Sequence, residues 1–245
     1  MNRLCLPCLF VLLVLDLSGC SRRVSTATVV LVDPSGSVTA QARKQEFAAV
    51  GAFIPEMRRG DLLIVVPIAD DEAADIQGRV LRLQAPVRRE AYDTDLRRFR
   101  DLASREYAAF AADLLAHSGD RTDILGALDV ARQEFEAIPG SDRRRLIVLS
   151  DFLEEDGQYR FTSDPNLASA AKARNLAAQV RREHGFTLKN AQVNLGTLES
   201  TDLAPLGSER RLAVWSFWSE YFARSGPRTR IQFDGTGMLA GLDSE

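Results

Sequence analysis

Asp33, Ser35 and Ser37 place one acid and two hydroxyls at alternate positions, directly after the apolar run Val29-Val30-Leu31-Val32. An ionised and two neutral oxygen donors suit a hard divalent cation such as Mg²⁺, which takes oxygen ligands and keeps part of its water shell. A second apolar run, Leu146-Ile147-Val148-Leu149, also ends in an acid, Asp151, after one serine. Between them Thr122 and Asp123 stand just before Ile124-Leu125. Any one of these segments alone reads as a turn or a helix cap, because Asx-type turns and Ser, Thr or Asp caps are common. The two histidines, His117 and His184, precede Ser118-Gly119 and Gly185. They read as C-terminal helix residues meeting the last carbonyls.

The elements that must position these residues alternate along the chain. Unbroken β-branched runs read as strands buried on both faces: about 27–33, 61–68, 145–151 and 192–198. Segment 79–85 alternates apolar and polar residues and reads as an edge strand. Helical spacing is expected over 38–58, 90–117, 123–137 and 207–224. Asp164-Pro165 looks like a cap and first turn for a helix reaching His184. Residues 230–233 add a short last strand. Such alternation predicts an α/β fold, a doubly wound, mostly parallel sheet with helices on both faces, over residues 27–245. Ligands of such sheets collect at the carboxyl ends of the strands, where Asp33 and Asp151 fall.

Ahead of this body lies a processing signal. Arg3 gives a positive start, residues 4–15 are apolar apart from Pro7, and Leu17-Ser18-Gly19-Cys20 closes the segment. The apolar stretch is short for a membrane span. It resembles the lipobox of bacterial lipoprotein signal peptides, which implies a leader over 1–19, a lipidated Cys20 and a spacer to residue 26. Ser21 after the cysteine points to the outer membrane. All three cysteines, Cys5, Cys8 and Cys20, lie in this leader, so the body can build neither a disulfide nor a cysteine metal cluster. The formal net charge of −3 and interleaved charges give no reason to expect nucleic acid.

Taken together and in this order, the Asp33-x-Ser35-x-Ser37 loop, Thr122 and Asp151 resemble the von Willebrand factor type A domain with its metal-ion-dependent adhesion site. The resemblance covers nearly the whole body in element order. It implies that Asp33, Ser35, Ser37, Thr122 and Asp151 hold Mg²⁺ (Mn²⁺ or Ca²⁺ as substitutes). It also implies that an Asp or Glu of a partner protein completes the metal's shell, and that the domain binds without catalysis. Phe152 departs from the pattern, since the family often has glycine after that aspartate.

Two other classes compete. A metal-free scaffold of the same fold would bind through the aromatic segment 212–222, where Trp215, Trp218 and Tyr221 are candidate partner contacts and Arg224, Arg228 and Arg230 a basic rim. The same segment read as a helix is apolar almost all round, which describes a buried core helix. A haloacid-dehalogenase-like phosphatase would use Asp33 as nucleophile. It needs a second aspartate two positions later as general acid, and Ser35 stands there. No G-x-S-x-G elbow supports a serine hydrolase.

Overall fold

The computed structural model describes residues 25–69, 73–87, 92–117, 119, 121–138, 143–188, 191–223 and 233–234. The leader, Cys20 and the arginines at 224, 228 and 230 lie outside them.

In chain order the elements are β1 (Thr26–Val32), α1 (Ala40–Gly51), β2 (Leu62–Pro67), α2 (Ala73–Gly78), β3 (Leu81–Gln84), α3 (Asp93–Ala116) and α4 (Ile124–Ala137). There follow β4 (Arg143–Ser150), α5 (Ala170–His184), β5 (Ala191–Thr197), α6 (Ser208–Ala223) and β6 (Phe233–Asp234). The strands form one sheet in the order β3-β2-β1-β4-β5-β6. All neighbours are parallel except β2 and β3, so the alternating segment is indeed an antiparallel edge strand. This is a doubly wound α/β fold, the class that the unbroken apolar strands require.

Each central strand feeds both faces. Val29 and Leu31 join Ile124, Leu128, Phe135, Trp218 and Phe222 on one side, under α4, α5 and α6. Val30 and Val32 join Phe47, Val50, Ile54 and Tyr107 on the other, under α1 and α3. The strand order reverses between β1 and β4, so the crevice at that switch point opens where Asp33 and Asp151 leave the sheet.

Local chemistry moves several element boundaries. Helix α1 stops at Gly51 instead of reaching Arg58, and a single 3₁₀ turn covers Ile54–Glu56. Pro55 lacks the N–H that a continuing helix would need. Thr39 caps α1 by accepting from the Ala42 N–H at 3.2 Å, leaving the Ser37 hydroxyl free for other work. Asp164-Pro165 opens only a 3₁₀ turn, Pro165–Leu167, and Ser169 caps α5. Gly185 ends α5 at φ 60°, the left-handed cap expected beside His184. Among the described residues no helix is long and apolar enough to cross a membrane.

Candidate metal centre

Strand register decides which groups meet. Val32 lies beside Leu149, so Asp33 follows β1 next to Ser150 at the end of β4. The Ser150 hydroxyl donates to Asp33 Oδ2 at 2.6 Å, and the Ser35 N–H donates to Asp33 Oδ1 at 3.0 Å. From there an oxygen chain runs outward. Ser35 Oγ and Ser37 Oγ are 3.0 Å apart, and Ser37 Oγ donates to Asp151 Oδ2 at 2.9 Å. The Leu153 N–H fixes the other oxygen, Asp151 Oδ1, at 3.0 Å. Four of the five residues singled out by sequence therefore converge.

The fifth, Thr122, is buried in an adjoining loop. Its backbone pairs with Glu155 in both directions, at 2.9 and 3.4 Å. Gly119, three residues earlier, accepts from the Gly36 N–H at 3.1 Å, which ties that loop to the serine loop. Among the described hydrogen bonds none joins the Thr122 hydroxyl to the Asp33–Asp151 chain. A third loop closes the rim, where Thr201 donates to the Ser37 carbonyl from N–H at 2.9 Å and from Oγ1 at 3.1 Å.

Electrostatics set what the site can hold. Asp33 is fully buried, and its pKa is pushed up to about 6, first by burial and then by the charge of Asp151. Burial also raises Asp151, against the hydroxyls of Ser200 and Ser37 that stabilise its anion. Two buried carboxylates facing each other are satisfied by a cation or a shared proton. The spacing is that of ordinary hydrogen bonds and is also compatible with a cation. Neighbouring oxygens of an octahedral shell with metal–oxygen distances of about 2.0–2.1 Å lie roughly 2.9–3.0 Å apart, which is the spacing along this chain. All donors are hard oxygens, so the residues fit Mg²⁺ or Mn²⁺. Ser37 is half-buried and Gly36 exposed, so one side faces solvent.

No family model matches the sequence, and no curated protein is similar to it at the sequence level. Solved structures do resemble it. Solved von Willebrand factor type A structures are among them. One, from Catenulispora acidiphila, is 17% identical over 89% of this chain and 40% of its own, with a TM-score of 0.40. The manganese-loaded TRAP protein of Plasmodium vivax is 11% identical over 88% of this chain and 71% of its own, TM-score 0.41. Three N-terminal domains of the type V pilus tip protein Mfa5 of Porphyromonas gingivalis give 16% identity and a TM-score of 0.39. That match covers 75% of this chain, which spans only 29% of the pilus protein. At such scores the likenesses assign no role to any residue.

Sequence reading missed a buried acid on α1. Glu46 is fully enclosed and accepts the Asp33 N–H at Oε1, 2.9 Å away, while its Oε2 has no hydrogen-bond partner. Its pKa is raised by burial and by the charge of Asp33. Glu46→Ala is expected to destabilise the chain by about 1–3 kcal/mol, because it orphans a buried N–H. Glu46→Gln keeps the acceptor and should lose much less; urea unfolding of the two variants measures the difference.

The aromatic helix needs a correction. Trp218 and Tyr221 are 0% and 1% exposed, and only Trp215 is half-buried, so Trp218 and Tyr221 are not partner contacts. They pack with Phe161, Phe186, Phe217 and Phe222 in the core. Trp218 and Trp215 also reach the loop after Asp151. Phe152, at the position where the resemblance expects glycine, sits at φ 62°. Trp215 meets its ring edge-on at 5.6 Å, and the Trp218 indole N–H donates to its carbonyl at 2.9 Å.

Proposed function

We propose that this chain is a von Willebrand-type binding domain whose Asp33, Ser35, Ser37, Thr122 and Asp151 hold Mg²⁺, and that it captures a protein partner through an acidic side chain. The observation that carries the reading is the Asp33–Ser35–Ser37–Asp151 oxygen chain at the switch point of the sheet. Ser35 and Ser37 offer neutral oxygens, and Asp33 and Asp151 supply charge directly or through water. Two carboxylates leave a divalent ion electrophilic towards a further anionic ligand, and the half-exposed Ser37 marks the side from which it would come. The reading assigns the site to binding; Ser35, standing two positions after Asp33, speaks against the phosphatase alternative, which needs a general acid there. The resemblance of the leader to a lipobox supports an envelope lipoprotein anchored through Cys20, with the domain close to the outer membrane.

Isothermal titration of Mg²⁺ and Mn²⁺ into the purified chain, beside an Asp33→Ala/Asp151→Ala control, tests the metal. Binding that disappears in the control supports the reading. Heats identical in both overturn it and favour the metal-free scaffold, in which Ser37 and Ser150 satisfy the two acids by hydrogen bonds alone.

A pH dependence follows. The folded-state pKa of Asp33 lies above the usual carboxylate value, about 6 against 3.8. Its contribution to stability is therefore fully present below pH 3.8 and is lost as pH rises through about 6. Metal binding needs the ionised acid, so the stabilisation conferred by Mg²⁺ should grow across the same window. Thermal unfolding with and without Mg²⁺ at stepped pH measures both slopes, and Asp33→Asn should flatten them.

A further inference from the structure

We propose that Asp123, Glu154 and Asp156 form a second divalent-cation site, of the Ca²⁺ class, distinct from the Asp33–Asp151 centre. One carboxylate oxygen from each residue lies within 4.8 Å of the others. Calcium–oxygen distances are about 2.3–2.6 Å, so ligands on opposite sides of the ion stand roughly 4.6–5.2 Å apart, and one ion fits among the three.

An acidic cluster alone would be unremarkable, but Glu154 is not solvated. It is fully enclosed, its Oε2 accepts the Ile124 N–H at 3.2 Å, and its Oε1 has no hydrogen-bond partner. A buried carboxylate oxygen left without a donor is costly. Glu154 also faces the charges of Asp123 and Asp156, with only backbone N–H groups of α4 acting against them among its described neighbours. The structure brings a second and a third negative group near it while leaving Oε1 without a hydrogen bond. A cation answers all of them at once.

The other two ligands are held in place by their loops. Asp123 Oδ1 accepts the Gly126 N–H at 2.6 Å, and Asp156 Oδ1 accepts the Gln158 N–H at 2.6 Å and the Tyr159 N–H. Each keeps a second oxygen. Gly126 makes the arrangement possible, since a Cβ there would lie 2.2 Å from Asp123 Oδ2. Asp123 and Asp156 are half-buried, so an ion can enter from solvent. On the neighbouring elements, His184 of α5 faces Asp123 and lies 3.7 Å from Asp129 of α4. Three carboxylates on loop backbone suit Ca²⁺, which accepts irregular shells of six to eight oxygens. They suit Mg²⁺ less, because it demands a near-ideal octahedron. The Thr122–Glu155 backbone pair joins the two loops, so this site and the first adjoin one backbone bridge while using different side chains.

The test is Ca²⁺ titration of the full chain carrying Ser35→Ala/Ser37→Ala, which removes the hydroxyls of the first centre. One Ca²⁺ per chain is expected, with an affinity in roughly the 10⁻⁴–10⁻³ M range of extracellular modules. Adding Glu154→Gln or Asp156→Asn should weaken it at least tenfold. Both changes keep the acceptors of the Ile124 and Gln158 N–H groups, and circular dichroism checks that each variant is folded. Absence of Ca²⁺ heat in the serine variant overturns the proposal, as does binding unchanged in both carboxamide variants. Failure of the first centre is read separately, as Mg²⁺ binding by the unsubstituted chain that survives the serine changes or never occurs.

Discussion

Replacing Asp33 with alanine is expected to abolish Mg²⁺-dependent capture of an acidic partner while the sheet stays folded. The carboxylate is fully buried and repelled by Asp151, so deleting it removes an unfavourable charge from the metal-free chain. Against that gain, the Ser35 N–H and the Ser150 hydroxyl lose their acceptor. Orphaned buried donors cost about 1–3 kcal/mol each, so the two contributions largely offset in the metal-free state. For the metal there is no offset. Even substitution of residues that merely orient ligands costs about 10–100-fold in affinity, and loss of a charged ligand should exceed the upper figure. Capture assays with and without EDTA, beside thermal unfolding, separate the two effects. Asp33→Asn sharpens the comparison by restoring one acceptor, the carbonyl oxygen for the Ser35 N–H, without the charge, while its NH2 faces the Ser150 hydroxyl, which can turn to accept. Capture that persists in Asp33→Ala and ignores EDTA would sink the metal mechanism.

What the sequence discloses of this site is its first-named half. An apolar strand ending in Asp33-x-Ser35-x-Ser37 and another ending in Asp151 can be read directly, because buried parallel strands are unbroken apolar runs. Their meeting can be expected as well, since ligands gather at strand ends around the switch point. Glu46 and Glu154 could not be found that way. An acid within an amphipathic stretch ordinarily faces water, and only the packing of α1 and of the loop after β4 shows these two enclosed. Ser150 and Ser200 were hidden for a related reason. Register across β1 and β4, not spacing along either, puts the Ser150 hydroxyl on Asp33. The loop before Ser200 is set by its pairing with Val38. Helix boundaries slipped where one cap or proline, Thr39 or Pro55, outweighed a longer apolar period.

Trp218→Ala is expected to cost about 3–5 kcal/mol, the range for removing a large aromatic side chain from a packed core. Trp218 is 0% exposed and touches Phe152, Phe161, Phe217, Tyr221 and Phe222. Domain stabilities are about 5–15 kcal/mol, so the loss is a large share of the total and should show as a clear drop in the urea midpoint. The effect reaches the loop that carries Asp151 through Phe152. That residue stands at φ 62°, where a side chain with a Cβ is strained by about 1–3 kcal/mol and stays only if its surroundings hold it. What holds it is the Trp218 N–H on its carbonyl and the Trp215 ring against its own. Its neighbour Asp151 is the acid at the end of the oxygen chain. Trp218→Phe keeps most of the ring contact but removes the N–H, and should lower Mg²⁺ affinity with a smaller loss of stability. Trp215→Ala, at a half-buried position, should destabilise less than Trp218→Ala. A Trp218→Ala chain with an unchanged midpoint and only a binding defect would return this helix to the surface and undo the core assignment. The expected order, Trp218→Ala well below Trp215→Ala and Trp218→Phe in stability, together with weakened Mg²⁺ binding by folded Trp218→Phe, would instead show that the aromatic helix acts on binding by fixing the loop that carries Asp151.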